Sequence, residues 1–307
     1  MSKIIFTLFI STFLLSKELI TPIPLTINYN ENKAKLGEKL FNDNRLSKDN
    51  TISCATCHIL EEGGDDNLQV SFGIDGQKGT RNSPTVLNAR FNANQFWDGR
   101  ASGLEDQAKG PIHNPLEMNS NFTEVISKLK KDTFYVKEFK KIYKDGLTGD
   151  NIVNAIAEFE NSLTTPNSRF DQYLRGDNQV LTNDEKEGYK LFKEYGCISC
   201  HNGINVGGNL MQRIGVLEDF NTTDLGLYNI TKDKEDKFYF KVPSLRNIEL
   251  TAPYFHDGLT SSLKDAVNKM SYYQVGYTLK EEETDKIILF LKTLTGEQPV
   301  KEEKTYE

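Results

Sequence analysis

Cys54-Ala55-Thr56-Cys57-His58 and Cys197-Ile198-Ser199-Cys200-His201 together use every cysteine of the 307-residue chain. In an exported protein four cysteines would ordinarily pair as disulfides, but disulfides give no reason for a histidine directly after each pair. Zinc ribbons space their pairs by ~15–20 residues, whereas about 140 residues separate these two. A thioredoxin-like redox site needs one such motif in a βαβ setting, and neither copy has it. Cys-x-x-Cys-His is the attachment signature of haem c. The two thiols add to the haem vinyl groups and the adjacent histidine reaches the iron from the proximal side. Cys54, Cys57, Cys197 and Cys200 are therefore expected to anchor two haems, with His58 and His201 as proximal iron ligands.

Working outward, the motifs sit inside an internal repeat. Gly37-Glu38-Lys39-Leu40-Phe41 precedes the first and Gly188-Tyr189-Lys190-Leu191-Phe192 the second. Both stretches are helix-like, with Leu-Phe forming an apolar edge. Pro84 to Leu104 overlays Pro243 to Leu263 without a gap, and an amphipathic helix closes each half (Ile152, Ile156, Phe159, Leu163; Ile287, Leu291, Leu294). Strand-like alternation is weak. The expected fold class is mainly α, with two cytochrome c-like domains, each binding one covalently attached haem c. Residues 17–165 form the first domain, 166–297 the second and 298–307 a polar tail; the boundary falls at Thr165-Pro166-Asn167, where a helix ends in proline and a polar turn.

The start of the chain reads as an export signal over residues 1–16. Lys3 precedes a twelve-residue apolar stretch, Ile4 to Leu15, short of the ~20 residues that span a bilayer; a short uncleaved anchor is the rival. The expected location is the periplasm. Net charge is −7 with both signs interspersed, so no basic stripe points to nucleic acid. Hydrophobic residues make up 37% of the chain, below the ~45–50% usual once glycine is counted, and two macrocycles would supply the missing apolar core.

The halves differ where chemistry would differ. Trp97 occupies the slot of His256, and Pro111 falls opposite Met270. Iron held by His and Met is an electron-transfer centre of raised potential, while an iron with an open sixth position can activate a substrate. Met270, in a helix-like stretch well after the second motif, is the candidate sixth ligand there, with Met211 as rival. The corresponding place in the first half is the loop Gly110 to Asn119. Its Glu117 could take the proton from a bound peroxide oxygen and return it to the departing one.

From Asn32 to Gly296 the chain resembles the bacterial dihaem cytochrome c peroxidases. The resemblance rests on both haem motifs and on Gln77 to Thr85, Gln95 to Ala101, Gln107 to Pro111, Leu116 to Asn119 and Leu250 to Gly258. It implies hydrogen peroxide reduction to water at the first haem, with Glu117 as acid–base residue and Gln107 and Phe96 lining the pocket. Trp97 would lie on the electron route to the second haem, which His201 and Met270 would ligate and His256 would contact. It also implies a structural calcium at Asn82, Thr251 and Pro253, whose hard oxygen donors suit that ion, a small donor such as a monohaem cytochrome c, and a homodimer. One departure is Ile74, where many members carry a histidine that caps the first iron until the other haem is reduced. Isoleucine has no lone pair, so the first haem is expected to be accessible without reductive activation; His113 is the residue that could restore capping or assist Glu117. The alternatives are a dihaem electron carrier with two filled sixth positions, or a dihaem enzyme that oxidises a partner protein. The latter uses tyrosine where Met270 stands, and Tyr272 and Tyr273 lie close by.

Overall fold

The computed structural model describes residues 18–299. The expected leader, 1–16, and the tail beyond residue 299 lie outside the described residues. The first unit comprises α1 (Glu31–Phe41), the single turn α2 (Cys54–Cys57), α3 (Leu104–His113), α4 (Phe122–Leu129), α5 (Thr133–Ile142) and α6 (Gly149–Ser162). The second comprises α7 (Arg169–Leu174), α8 (Asn183–Glu194), α9 (Tyr228–Thr231), α10 (Leu263–Val275) and α11 (Glu281–Lys292). An antiparallel pair, β1 (Met211–Arg213) with β2 (Tyr239–Lys241), completes it. Helix starts carry side-chain caps that satisfy otherwise orphaned amides: Asn30 accepts from Lys33 N, Thr148 from Asn151 N and Thr182 from Glu185 N.

The repeat is visible as one crossing made twice. α1 crosses α6 at Gly37, where a Cβ would stand 1.9 Å from the Ala155 carbonyl oxygen; α8 crosses α11 at Gly188, where it would stand 1.9 Å from that of Lys286. The close approach brings Phe41 edge-on to Phe159 at 5.2 Å and Phe192 to 5.2 Å from Phe290. Each crossing is the centre of its unit's core. A Gly188→Val chain must push the helices apart against backbone. Such overpacking costs about 1–3 kcal/mol, and denaturant titration of the loaded protein is expected to show a loss of that size; an unchanged midpoint would mean that the crossing can relax.

Thr165, at the expected boundary, is fully buried and tied to both repeats. Its hydroxyl accepts from Asn88 Nδ2 at 2.7 Å and Asn247 Nδ2 at 3.0 Å, and its amide donates to Asn88 Oδ1 at 2.9 Å. Residues 18–23, assigned to the first domain, pack on the second. Ile20 belongs to that core, Gly203 N donates to Leu19 O at 2.8 Å, and Ile23 N donates to Asp171 Oδ1 at 3.3 Å. Two buried isoleucines separated by Thr21 and Pro22 form too short a signal to assign to either core from sequence. Among the described residues no helix is long and apolar enough to cross a membrane.

Candidate haem sites

Each Cys-x-x-Cys-His motif opens on a cavity, of about 230 Å³ in the first unit and about 330 Å³ in the second. In the first, Cys54 and Cys57 lie on the single turn α2, where Thr56 Oγ1 accepts from Ser53 N at 3.0 Å. His58 Nδ1 is 3.1 Å from the Gly64 carbonyl. A carbonyl can only accept, so Nδ1 carries the proton and Nε2 keeps its lone pair. Burial lowers the pKa of His58 and keeps the ring neutral. In the second unit, Cys197 and Cys200 follow Gly196, whose positive φ of 79° turns the chain out of α8. Burial pulls the pKa of His201 down to about 4, opposed by the nearby Val206 and Pro243 carbonyls. Its Nδ1 has no hydrogen bond of good geometry. Free cysteines, a neutral histidine and an apolar cavity recur twice, and that donor set fits haem c.

Glu117, Gln107 and Phe96 all line the first cavity. Glu117 Oε1 accepts from Asn114 Nδ2 at 2.6 Å. Burial raises its pKa, against the lowering effects of Asn114 and the Arg100 cation. The Arg100 guanidinium lies 3.5 Å from the Phe96 ring centroid. Gly110 makes room for that ring, since a Cβ there would come within 2.9 Å of Phe96 Cζ. Pro111 also lines this cavity and has no donor to offer; Met118 reaches it from the core.

The loop bearing Ile74 is pinned to the Glu117 loop. Ile74 N donates to Glu117 O at 2.9 Å, and a Cβ on Gly73 would sit 2.0 Å from Leu116 O. Phe72 and Gly73 line the cavity, while Ile74 is buried and does not. His113 is not brought to either cavity. It ends α3 in an exposed position, with Nδ1 2.9 Å from Lys109 O and its ring edge-on to Phe122.

In the second cavity Met270, on α10, faces the space shared with His201. The rival Met211 is instead at the seam between the units, with its sulfur 2.7 Å from where a Cβ on Gly99 would be. Tyr272 and Tyr273 do not line the cavity. Trp97 lines both cavities. Its Nε1 donates to Asn82 O at 2.9 Å, its carbonyl accepts from Lys241 N at 2.8 Å, and its ring is edge-on to His256 at 6.3 Å. His256 is buried in the wall of the second cavity, stacked on Phe240 at 4.2 Å and bonded to Thr222 at 2.9 Å. Asn82, Thr251 and Pro253 are also in that wall, together with Asp65.

Sequence reasoning missed several buried charges, among them Asp65, Glu160 and Lys241. Burial raises Asp65 to about 7 and Glu160 to about 8, and lowers Lys241 to about 8. Asp65 Oδ1 and Glu160 Oε2 have no hydrogen-bond partner among the described residues. Glu160 had a legible signal, since it stands four residues after Ile156 on the apolar face of α6; Asp65 and Lys241 sit in irregular or very short elements with no period to violate.

Residues 31–179 match the family model of di-haem cytochrome c peroxidases, and residues 185–295 that of cytochrome c. The chain is similar to the cytochrome c peroxidase of Escherichia coli, with 48% identity over 91% of this chain and 61% of that protein. It is similar to the cytochrome c551 peroxidase of Nitrosomonas europaea, with 47% identity over 92% of this chain and 86% of that one. Among solved structures, a MauG-like protein associated with microbial copper homeostasis superposes with a TM-score of 0.80 at 28% identity, covering 93% of this chain and 95% of that one.

Proposed function

The chain belongs to the di-haem cytochrome c peroxidases, and on that premise we propose that its two cavities divide one reaction: hydrogen peroxide is reduced to water in the first, and electrons arrive through the second. The observation that carries this division is the asymmetry of matched positions: the half-buried Glu117 lines the first cavity beside Pro111, which has no ligand atom to offer, whereas Met270, opposite Pro111 in the repeat, lines the second together with His201. Haem c bound through Cys54, Cys57 and His58 would supply the redox chemistry that breaks the O–O bond, and a second through Cys197, Cys200, His201 and Met270 would relay electrons.

The polypeptide's part is positional and protonic. Asn114 fixes Glu117 Oε1, which leaves Oε2 to accept the peroxide proton and return it to the departing oxygen, so that this oxygen leaves as water. Gln107 and Phe96 wall the peroxide space, and the Phe96–Arg100 stack keeps that wall in place. Trp97, in contact with both cavities, is the side chain best situated on the electron route, and His256 supports the second haem from the same seam. The electron donor is a small redox protein of the monohaem cytochrome c kind, the location is the periplasm, and the active assembly is a homodimer, as the family resemblance implies.

The test uses the matured holoprotein with two haems per chain. Peroxide-dependent oxidation of a reduced cytochrome c is expected, together with a ferric spectrum that lacks a bis-histidine low-spin signal from the first haem, because Ile74 offers no ligand. Two six-coordinate haems without turnover would reduce the protein to an electron carrier and sink the reading.

We also place calcium at Asn82, Thr251 and Pro253. Asp65 Oδ1, buried in the same wall without a hydrogen-bond partner, supports this, since a buried carboxylate oxygen left unpaired is costly unless a cation compensates it. A ligand held only by the folded state, at a hundred times its Kd, stabilises by about 2.7 kcal/mol. Chelation is therefore expected to lower the melting temperature by several degrees and to weaken turnover, with both restored by calcium but not magnesium. Indifference to chelator would remove the ion from the account.

A further inference from the structure

Lys241 ends β2 at the seam between the two units. Its backbone N–H donates to the Trp97 carbonyl at 2.8 Å, and strand pairing sets it opposite Met211. The residue is 6% exposed, and it lines the second cavity but not the first. Among the described residues its ammonium has neither an ion pair nor a hydrogen bond, and burial alone pulls its pKa down. A lysine normally snorkels its charge to water; an ammonium kept in an apolar wall costs several kcal/mol unless an anion joins it. The other ionisable side chains in this wall are Asp65, Arg213, His201, His256, Cys197, Cys200 and two tyrosines. Asp65 exerts no charge effect on Lys241, and no other carboxylate is present.

The cavity is built for a group that brings its own carboxylates, because haem c carries two propionates. We propose that Lys241 is a positioning residue, holding one propionate of the haem attached at Cys197 and Cys200 and thereby raising that haem's reduction potential. This rests on the reading of the second cavity as a haem site. A cation fixed near the macrocycle favours the reduced, more negative state, and the low-dielectric wall magnifies the effect. The same residue is joined through its backbone to Trp97, so the side chain that holds the propionate and the ring on the electron route share one anchor.

The experiment compares holoprotein with Lys241→Met, which keeps the aliphatic stem, and Lys241→Arg, which keeps the charge. Each haem is titrated spectroelectrochemically, and the propionate-bending mode is followed by resonance Raman. In the Met variant, the ferric-to-ferrous ratio of the second haem at fixed ambient potential is expected to rise about tenfold, a fall of 59 mV for one electron. Its propionate mode should shift, while the first haem stays as it was and the Arg variant stays close to the wild type. If the Met variant does not mature, Lys241→Gln makes the same comparison. An unmoved second haem, a shift confined to the first haem, or equal shifts in the Met and Arg variants would each overturn the assignment. Haem stoichiometry is read in the wild type first: one haem per chain there would overturn the site reading itself, and the proposal with it.

Discussion

Glu117→Gln is expected to lower peroxide turnover by about 10²–10⁴-fold, the usual contribution of a positioned acid–base group, with both haems still attached. The substitution is nearly isosteric. Asn114 Nδ2 donates to Glu117 Oε1 at 2.6 Å, and a glutamine carbonyl oxygen can keep that bond, so the loop and its link to Ile74 should survive. Only the capacity to accept and return a proton is lost. The wild type should carry a matching acid limb. Burial raises the Glu117 pKa, so the protonated form, which cannot act as base, takes over at a higher pH than for an ordinary carboxylate. The specificity constant therefore falls as pH drops through that raised value, and the variant loses this limb along with its activity. Steady-state rates across pH, with unfolding midpoints as control, decide the matter. Retention of most of the turnover would return Glu117 to a structural role.

The parts of this molecule legible in its sequence are those encoded over a few residues or by a period. The two five-residue motifs carry covalent chemistry, and the Gly-x-x-Leu-Phe stretches carry a helix crossing that needs one glycine and one apolar edge. The repeat extends to backbone conformation. Asn88 and Asn247, Phe96 and Phe255, and Gly99 and Gly258 adopt the same left-handed geometry in both halves, so an ungapped overlay places Trp97 and His256 at one seam. Legibility ends where tertiary contact decides. Met270 and Met211 are equivalent as thioethers, and only the fold puts one on the cavity and the other against Gly99. His113 is four residues from Glu117, yet it ends α3 while Glu117 lies in the loop beyond, and the two point to different surroundings. Arg246, Lys241 and Asp65 are residue types found mostly at surfaces, and nothing local announces that the fold buries them.

Arg246 carries the second large expectation: Asp171→Ala should destabilise the loaded protein by about 3–5 kcal/mol, the penalty for leaving one member of a buried pair uncompensated. Both side chains are 0% exposed, with Arg246 Nη1 2.7 Å from Asp171 Oδ1. The arginine also donates to Ile204 O at 2.9 Å, to Ser168 Oγ at 3.2 Å and to Thr21 O at 3.3 Å. It thus ties α7 and the segment before α1 to the chain just after His201. Removing Asp171 strands the guanidinium and frees the Ile23 amide, which donates to the same carboxylate oxygen. A double variant, Asp171→Leu with Arg246→Met, separates two accounts. If the pair chiefly avoids a stranded charge, the apolar double variant should recover most of the lost stability, because well-packed apolar replacements of buried pairs are often neutral. If the pair instead organises the haem-bearing loop through its carbonyl contacts, the double variant should remain unstable and the absorption of its second haem should change. The first outcome is expected for the stability and the second for the spectrum, since Ile204 and Thr21 lose a donor whichever residue replaces Arg246. A single Asp171→Ala chain as stable as the wild type would show that the remaining carbonyls suffice to hold the charge.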